Sequence, residues 1–225
     1  MTARAAVAAT GERPAPGIAP SDLDGVALPA SARKRLSAYV DLLAKWNRTY
    51  NLTAIRERPQ MITHHLHDAL AVLPFFPRQE HLRVLDIGTG GGIPGIPLAI
   101  ARPDWTFVLL DASQKKATFV TQAAIELQLR NVTVVASRAE EFVADAPFDV
   151  VISRAFSDLA TFARMAMRHV AHDGVMVAMK AVLPRDEIAA LPADVAVTAT
   201  PALHVPGLDA ERHLVLMRAR PRESA

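Results

Sequence analysis

Leu85-Asp86-Ile87-Gly88-Thr89-Gly90-Gly91-Gly92-Ile93-Pro94-Gly95 is the stretch that decides the fold. An apolar run over 82–87 precedes its glycines and another around 96–101 follows, so it reads as strand, glycine turn and helix in succession. Glycines in such a turn let the backbone pass close to a ligand and adopt positive φ. The spacing separates ligand classes. A dinucleotide fingerprint, Gly-x-Gly-x-x-Gly, would need glycine where Ile93 stands. The pattern is instead Gly88-x-Gly90-x-Gly92, with Asp86 before it.

Downstream of the turn, strands and helices alternate. Strands are expected at 106–110 (ending at Asp111), 132–136, 148–152 and 174–179, with helices over 114–128 and 159–170. Two further strands are expected at 195–199 and 213–218, joined by a connection too long for a tight hairpin. Near-continuous apolar strands separated by helices imply a mostly parallel, seven-stranded sheet covered on both faces, a Rossmann-like α/β architecture. Upstream, Leu36, Val40, Leu43 and Trp46 form one face of a helix over 31–50, with Ser31 as its N-cap. A second helix is expected over 59–73, opened by Pro59 and stopped by Pro74 and Pro77. The chain divides into a disordered, Ala/Pro/Gly-rich tail (1–22), an N-terminal helical layer (23–80) and a catalytic domain (81–220).

Composition narrows the chemistry. The 225 residues are 51% hydrophobic but only 5% aromatic, so aliphatic side chains must build the core. Cysteine is absent, which removes disulfides, thiolate metal sites and any cysteine nucleophile. The formal net charge is +2, with Arg far commoner than Lys. That balance suits phosphate and base contacts, and equally reflects codon bias. No apolar run of roughly eighteen residues signals a membrane span. His64, His65 and His67 come without a recognisable ligand set, so no metal is expected.

The glycine pattern is the form found in S-adenosylmethionine-dependent methyltransferases. Asp111 ends the second strand, where a carboxylate can accept bonds from both ribose hydroxyls, although alone it also suits a helix cap. Ser137-Arg138-Ala139-Glu140-Glu141-Phe142 follows the third strand and would lie beside an adenine. After the fourth strand stands Ile152-Ser153-Arg154-Ala155-Phe156, without the Asn/Asp-Pro-Pro-aromatic motif of enzymes that methylate exocyclic amines. Pyrimidine C5 chemistry usually needs the missing cysteine. Guanine N7 holds a free lone pair and needs no base, so positioning alone can drive its attack. Ribose or protein methylation would lack the same motifs. Arg154 and Lys180, at the carboxyl edge of the sheet, are the candidates for catalytic contact, and Arg212 and His213 are expected to face the cleft. Asn47 and Asn51 either touch RNA or close the first helix.

The chain resembles the bacterial 16S ribosomal RNA guanine-N7 methyltransferases, also called glucose-inhibited division protein B. The likeness runs from about residue 36 to 218. It rests on the box from Trp46 to Ile55, His65 with Asp68, the glycine turn, Leu110-Asp111, the segment from Ser137 to Phe142, Ile152 to Phe156, Met179-Lys180 and Glu211-Arg212-His213-Leu214. Ala69, Gly91 and Ala181 depart from the usual family residues. The resemblance implies a monomeric cytoplasmic enzyme with no membrane attachment that takes S-adenosylmethionine as cofactor. Its substrate would be 16S ribosomal RNA or a small-subunit precursor. Gly88, Ile93, Ala139, Glu140 and Arg154 would contact the cofactor, alongside Gly90 and Asp111 from the reading above. A methyltransferase acting on another RNA, a protein or a small molecule is the alternative. An assembly factor that binds RNA without catalysis is disfavoured by the intact turn and Asp111.

Overall fold

A computed structural model describes residues 28–154, 156 and 158–220. The expected tail at 1–22 lies outside them. Seven strands form one sheet: β1 (Arg83–Ile87), β2 (Thr106–Asp111), β3 (Val132–Ala136), β4 (Phe148–Ser153), β5 (Val170–Lys180), β6 (Val195–Ala199) and β7 (His213–Ala219). Their spatial order is β3-β2-β1-β4-β5-β7-β6. The first five run parallel, and β7 is antiparallel to both β5 and β6. A parallel sheet needs crossovers; three of the four pass through helices α4 (Gly95–Ala101), α5 (Gln114–Glu126) and α6 (Leu159–Ala166), and the connection from β3 to β4 carries no helix. A short α7 (Arg185–Ala189), not expected from the sequence, precedes β6.

Side chains alternate across β1. Leu85 and Ile87 pack with Leu159, Phe162, Ala163 and Ala166 of α6 on one face. Val84 belongs to the other face, which shares its core with the N-terminal layer. That layer begins with α1 (Ala30–Tyr50), whose buried stripe is Leu36, Tyr39, Val40, Leu43 and Asn47. The helix starts one residue before Ser31. Pro29 occupies the cap position and no side chain caps the helix, so the expected Ser31 cap is corrected. At the other end Asn51 takes the left-handed conformation (φ 49°) that closes the helix.

Asn47 has a structural role. Its Oδ1 accepts from Thr53 N (2.9 Å) and its Nδ2 donates to Ile55 O (3.2 Å), so it clasps the chain leaving α1. An Asn47→Ala variant leaves that N–H and carbonyl unpaired at a site where Asn47 is 2% exposed. The expected loss is about 2 kcal/mol of unfolding free energy, read from urea titration. A loss below about 0.5 kcal/mol would show that water replaces the clasp at little cost.

The helix expected over 59–73 is broken into pieces. α2 (Arg58–Met61) widens into a π-helical stretch (Ile62–His67), which leads to α3 (Asp68–Leu70). Pro74 falls inside a 3-10 turn (Leu73–Phe75). The widened turn carries His64 and His65 beside Arg154 and leads directly into Asp68, and such insertions concentrate at functional sites. Helix α6 also stops four residues before the expected 170. The Phe148 N–H donates to His169 O (2.8 Å) and draws residues 169–170 into the sheet. β5 therefore begins at Val170 and bulges before Val175.

Candidate active site

The carboxyl ends of β1, β2, β4 and β5 meet at one edge of the sheet, where open α/β folds bind ligands. The glycine turn leaves β1 there. Gly88 N and Thr89 N donate to Leu110 O (2.8 and 3.0 Å), which ties the turn to β2. Asp111 grips it from the same strand. One carboxylate oxygen accepts from Gly90 N (2.8 Å) and the other from Ser113 N (2.8 Å). Gly90 has φ +58°, and a Cβ built there meets nothing nearer than the Gly88 carbonyl, 3.9 Å away. The turn thus presents bare backbone to open space.

Beneath the turn the fit is close. A Cβ at Gly95 would collide with Leu109 Cδ2 and lie 2.9 Å from Asp86 Oδ2, so only glycine lets α4 start so near β1 and β2. Asp86 is fully buried. Its Oδ2 accepts from Thr89 Oγ1 (2.6 Å) and Gly95 N (3.0 Å), while Oδ1 has no hydrogen-bond partner. Burial pushes its carboxyl up to about 7, against the pull of those two donors. Tyr39 of α1 donates to Gly91 O (2.6 Å), so the N-terminal layer braces the turn directly. Sequence reading missed Tyr39. The available signal was a phenol set in an aliphatic stripe, because a buried Tyr hydroxyl usually finds a partner.

The other expected site residues fall at distinct places. Ile93 is 6% exposed and packs in the core, with its N–H on Thr89 O (2.9 Å). Ala139 is buried, its carbonyl held by His169 Nε2 (3.2 Å), and Glu140 beside it is exposed. Arg154 reaches the helical layer: Nη1 donates to His64 O (2.8 Å) and Asp68 Oδ2 (3.2 Å), and Nη2 lies 3.2 Å from His65 Nδ1. Burial, with Arg154 nearby, pushes His65 down to about 4. Lys180 Nζ donates to Glu187 Oε2 (2.7 Å) and Phe156 O (3.2 Å), so its charge is paired and it braces the segment after β4. The three neighbouring histidines diverge: His64 bonds Thr63, His65 approaches Thr53, and His67 bonds Pro206 O.

A cavity of about 240 Å³ opens between the helical layer and the sheet edge. Its lining includes His64, Asp68, Arg154, Lys180, Arg212 and His213. Arg154 and Lys180 therefore share one cavity, and Arg212 and His213 face it as expected. The cofactor candidates on the glycine turn lie on the neighbouring strand, linked by the Ser153 Oγ bond to Ile87 O (2.7 Å). Asp68 sits between two arginines, with Arg212 Nε 3.3 Å from its Oδ1. Burial raises its carboxyl and the arginines oppose that shift.

The fold is that of the Rossmann-like methyltransferases. The O-methyltransferase TomG from Streptomyces achromogenes, solved in complex with SAM, superposes with a TM-score of 0.57 at 20% identity. That superposition covers 88% of this chain and 93% of TomG. TrmN from Thermus thermophilus gives 0.55 at 19% identity, over 67% of this chain and 48% of its own. The sequence is more specific. The profile of the family described as "GidB: rRNA small subunit methyltransferase G" matches residues 32–215, and the chain belongs to that family. It is 53% identical over 196 residues to the ribosomal RNA small subunit methyltransferase G of Laribacter hongkongensis, covering 87% of this chain and 93% of that protein. Its counterpart of the same name in Neisseria meningitidis serogroup B is 50% identical over 209 residues, 93% and 98% of the two chains.

Proposed function

We propose that this protein transfers a methyl group from S-adenosylmethionine to N7 of a guanine in 16S ribosomal RNA. One observation carries the reading: a bare glycine turn gripped by Asp111 and a cavity of about 240 Å³ lined by charged and polar side chains lie on the same sheet edge. The residues present fit the cofactor. Gly88 and Gly90 would let its chain pass close, Asp111 keeps acceptor capacity for the ribose hydroxyls, and Ala139 and Glu140 would hold the adenine. When bound, the cofactor would supply an electrophilic sulfonium methyl for the N7 lone pair, with the thioether as its leaving group.

The protein's own part is positioning. Arg154, fixed by Asp68 and the His64 carbonyl, lines the cavity. Lys180 holds the segment after β4 against α7. No general base is needed, since N7 loses no proton on attack. A cleft of about 680 Å³ on the helical layer, lined by Lys45, Arg48, Arg56 and Arg58 with Asp41 and Glu57, offers charge to RNA phosphates. We place the enzyme in the cytoplasm as a monomer acting on RNA or small-subunit precursor. Among the described residues no helix is long and apolar enough to cross a membrane.

The test uses the chemistry of the product. Methylation at N7 puts a positive charge on the imidazole ring and makes the nucleotide labile to reduction and aniline. Small-subunit RNA treated with enzyme and labelled cofactor is expected to incorporate methyl and to gain one aniline-dependent break at a guanine. Incorporation without a break would overturn the N7 assignment.

A further inference from the structure

Two residues on the cavity walls each carry a buried side-chain atom with no hydrogen-bond partner, Asp68 Oδ1 and His213 Nδ1, and of these only Asp68 carries a carboxylate. Asp68 is 3% exposed, and its Oδ2 is bonded by Arg154. Its Oδ1 lies beside Arg212 at 3.3 Å, yet makes no hydrogen bond. Buried carboxylate oxygens are seldom left so, because each unsatisfied polar atom carries a desolvation cost. The other charged side chains on the cavity walls are Arg154, Lys180 and Arg212, all donors only. The walls thus combine one carboxylate with flanking cationic donors. That set is complementary to a base edge carrying adjacent N–H donors next to a carbonyl oxygen.

Guanine has that edge. Its N1–H and N2–H lie side by side with O6 beside them, and N7 sits on the opposite end of the purine. Adenine would turn its N1 lone pair toward the carboxylate and meet repulsion.

We propose that Asp68 selects the acceptor base: its carboxylate accepts N1–H and N2–H of guanine, with Arg212 donating to O6, which directs N7 toward the glycine turn. The proposal rests on the base-methylating function stated above and adds the residue that chooses the base. Asp68 comes from the helical layer, Arg154 from the end of β4, and Arg212 from the residue before β7, so the reader is assembled from three separate parts of the chain.

The experiment compares two acceptors and two proteins. The acceptor guanine located by aniline mapping is replaced by inosine, which lacks only the 2-amino group and keeps N1–H, O6 and N7. Wild-type kcat/KM for methyl transfer is expected to fall at least about ten-fold from guanine to inosine, the effect of losing one hydrogen bond to a charged acceptor. Asp68→Asn is expected to be slower on guanine and to bring the guanine-to-inosine ratio close to one, because its amide cannot accept both donors. The ratio is taken on one preparation of each protein, so a reduced folded fraction cancels. It also sets aside any intrinsic difference in N7 reactivity between the bases, which both proteins see alike.

Equal wild-type rates on the two acceptors would overturn the assignment of Asp68. So would an Asp68→Asn ratio as large as the wild type's, which would leave Asp68 only as the anchor of Arg154 and Arg212. No wild-type transfer to the guanine RNA at all would overturn the function itself, a result distinct from both.

Discussion

Asp111→Ala is expected to weaken S-adenosylmethionine binding by at least about a hundred-fold in a protein that still folds. Two ribose hydroxyls bonded to a carboxylate contribute roughly 1.5–3 kcal/mol each, and the variant loses both. It also releases Gly90 N and Ser113 N, the donors that now converge on the two carboxylate oxygens, so the turn keeps only its bonds to Leu110 O as an anchor on β2. The less obvious expectation concerns Asp111→Asn. Each oxygen of Asp111 already faces a backbone N–H, so an amide must point its NH2 at one of them. Despite its matching shape, Asn is expected to bind nearly as poorly as Ala. Calorimetric titration of both variants, with circular dichroism to verify folding, is the measurement. Wild-type affinity in either folded variant would remove Asp111 from the cofactor site.

The second large effect is on stability against pH. Asp86 titrates near 7 in the folded protein, above its ordinary value of 3.8, because burial disfavours the ionised form. Between those values the unfolded chain has released a proton that the folded chain retains. The stability from this group is therefore fully present below about pH 4 and is lost as pH rises to about 7, with no further change above. The slope is about 1.4 kcal/mol per pH unit. An Asp86→Asn variant keeps an oxygen for Thr89 and Gly95 but cannot ionise. Urea unfolding of both proteins at pH 5, 7 and 8.5 isolates the group. The stability of wild type relative to Asp86→Asn is expected to fall by about 2–3 kcal/mol from pH 5 to 7 and then level off. A difference that stays constant across that range would mean Asp86 ionises in the fold as it does in water.

The sheet and the cofactor edge were readable because both depend on local pattern. The apolar runs over β1 to β4 are nearly continuous, broken inside the strands only by Asp86, Thr133 and Asp149, as buried parallel strands allow, and the glycine turn needs residues of one type at fixed spacing. The π-helical stretch was not readable. His64-His65-Leu66-His67-Asp68 satisfies an ordinary helical period, and its widening accompanies contacts to Arg154, some 86 residues away. The end of α6 failed for a similar reason, since Val170 suits a helix until Phe148 claims the neighbouring carbonyl. Arg154 and Lys180 were placed at the right edge, but their partners Asp68 and Glu187 belong to other elements and leave no mark in local spacing. Asn47 carried a signal that was only half used: it continues the stripe of Leu36, Val40 and Leu43, where a polar side chain implies a buried clasp.

The strand order also bears on how the molecule is made. β7, last to be synthesised, does not lie at the margin of the sheet but between β5 and β6. A nascent chain that has emerged only through β6 therefore has β5 paired on one edge alone, to β4, and β6 with no partner in the sheet. It also lacks Arg212, the second cation against Asp68. Domains fold from the amino terminus as they leave the ribosome, at roughly 5–20 residues per second. Here the sheet closes only when β7 joins β5 to β6, and the cavity that Arg212 and His213 line takes shape in that same step.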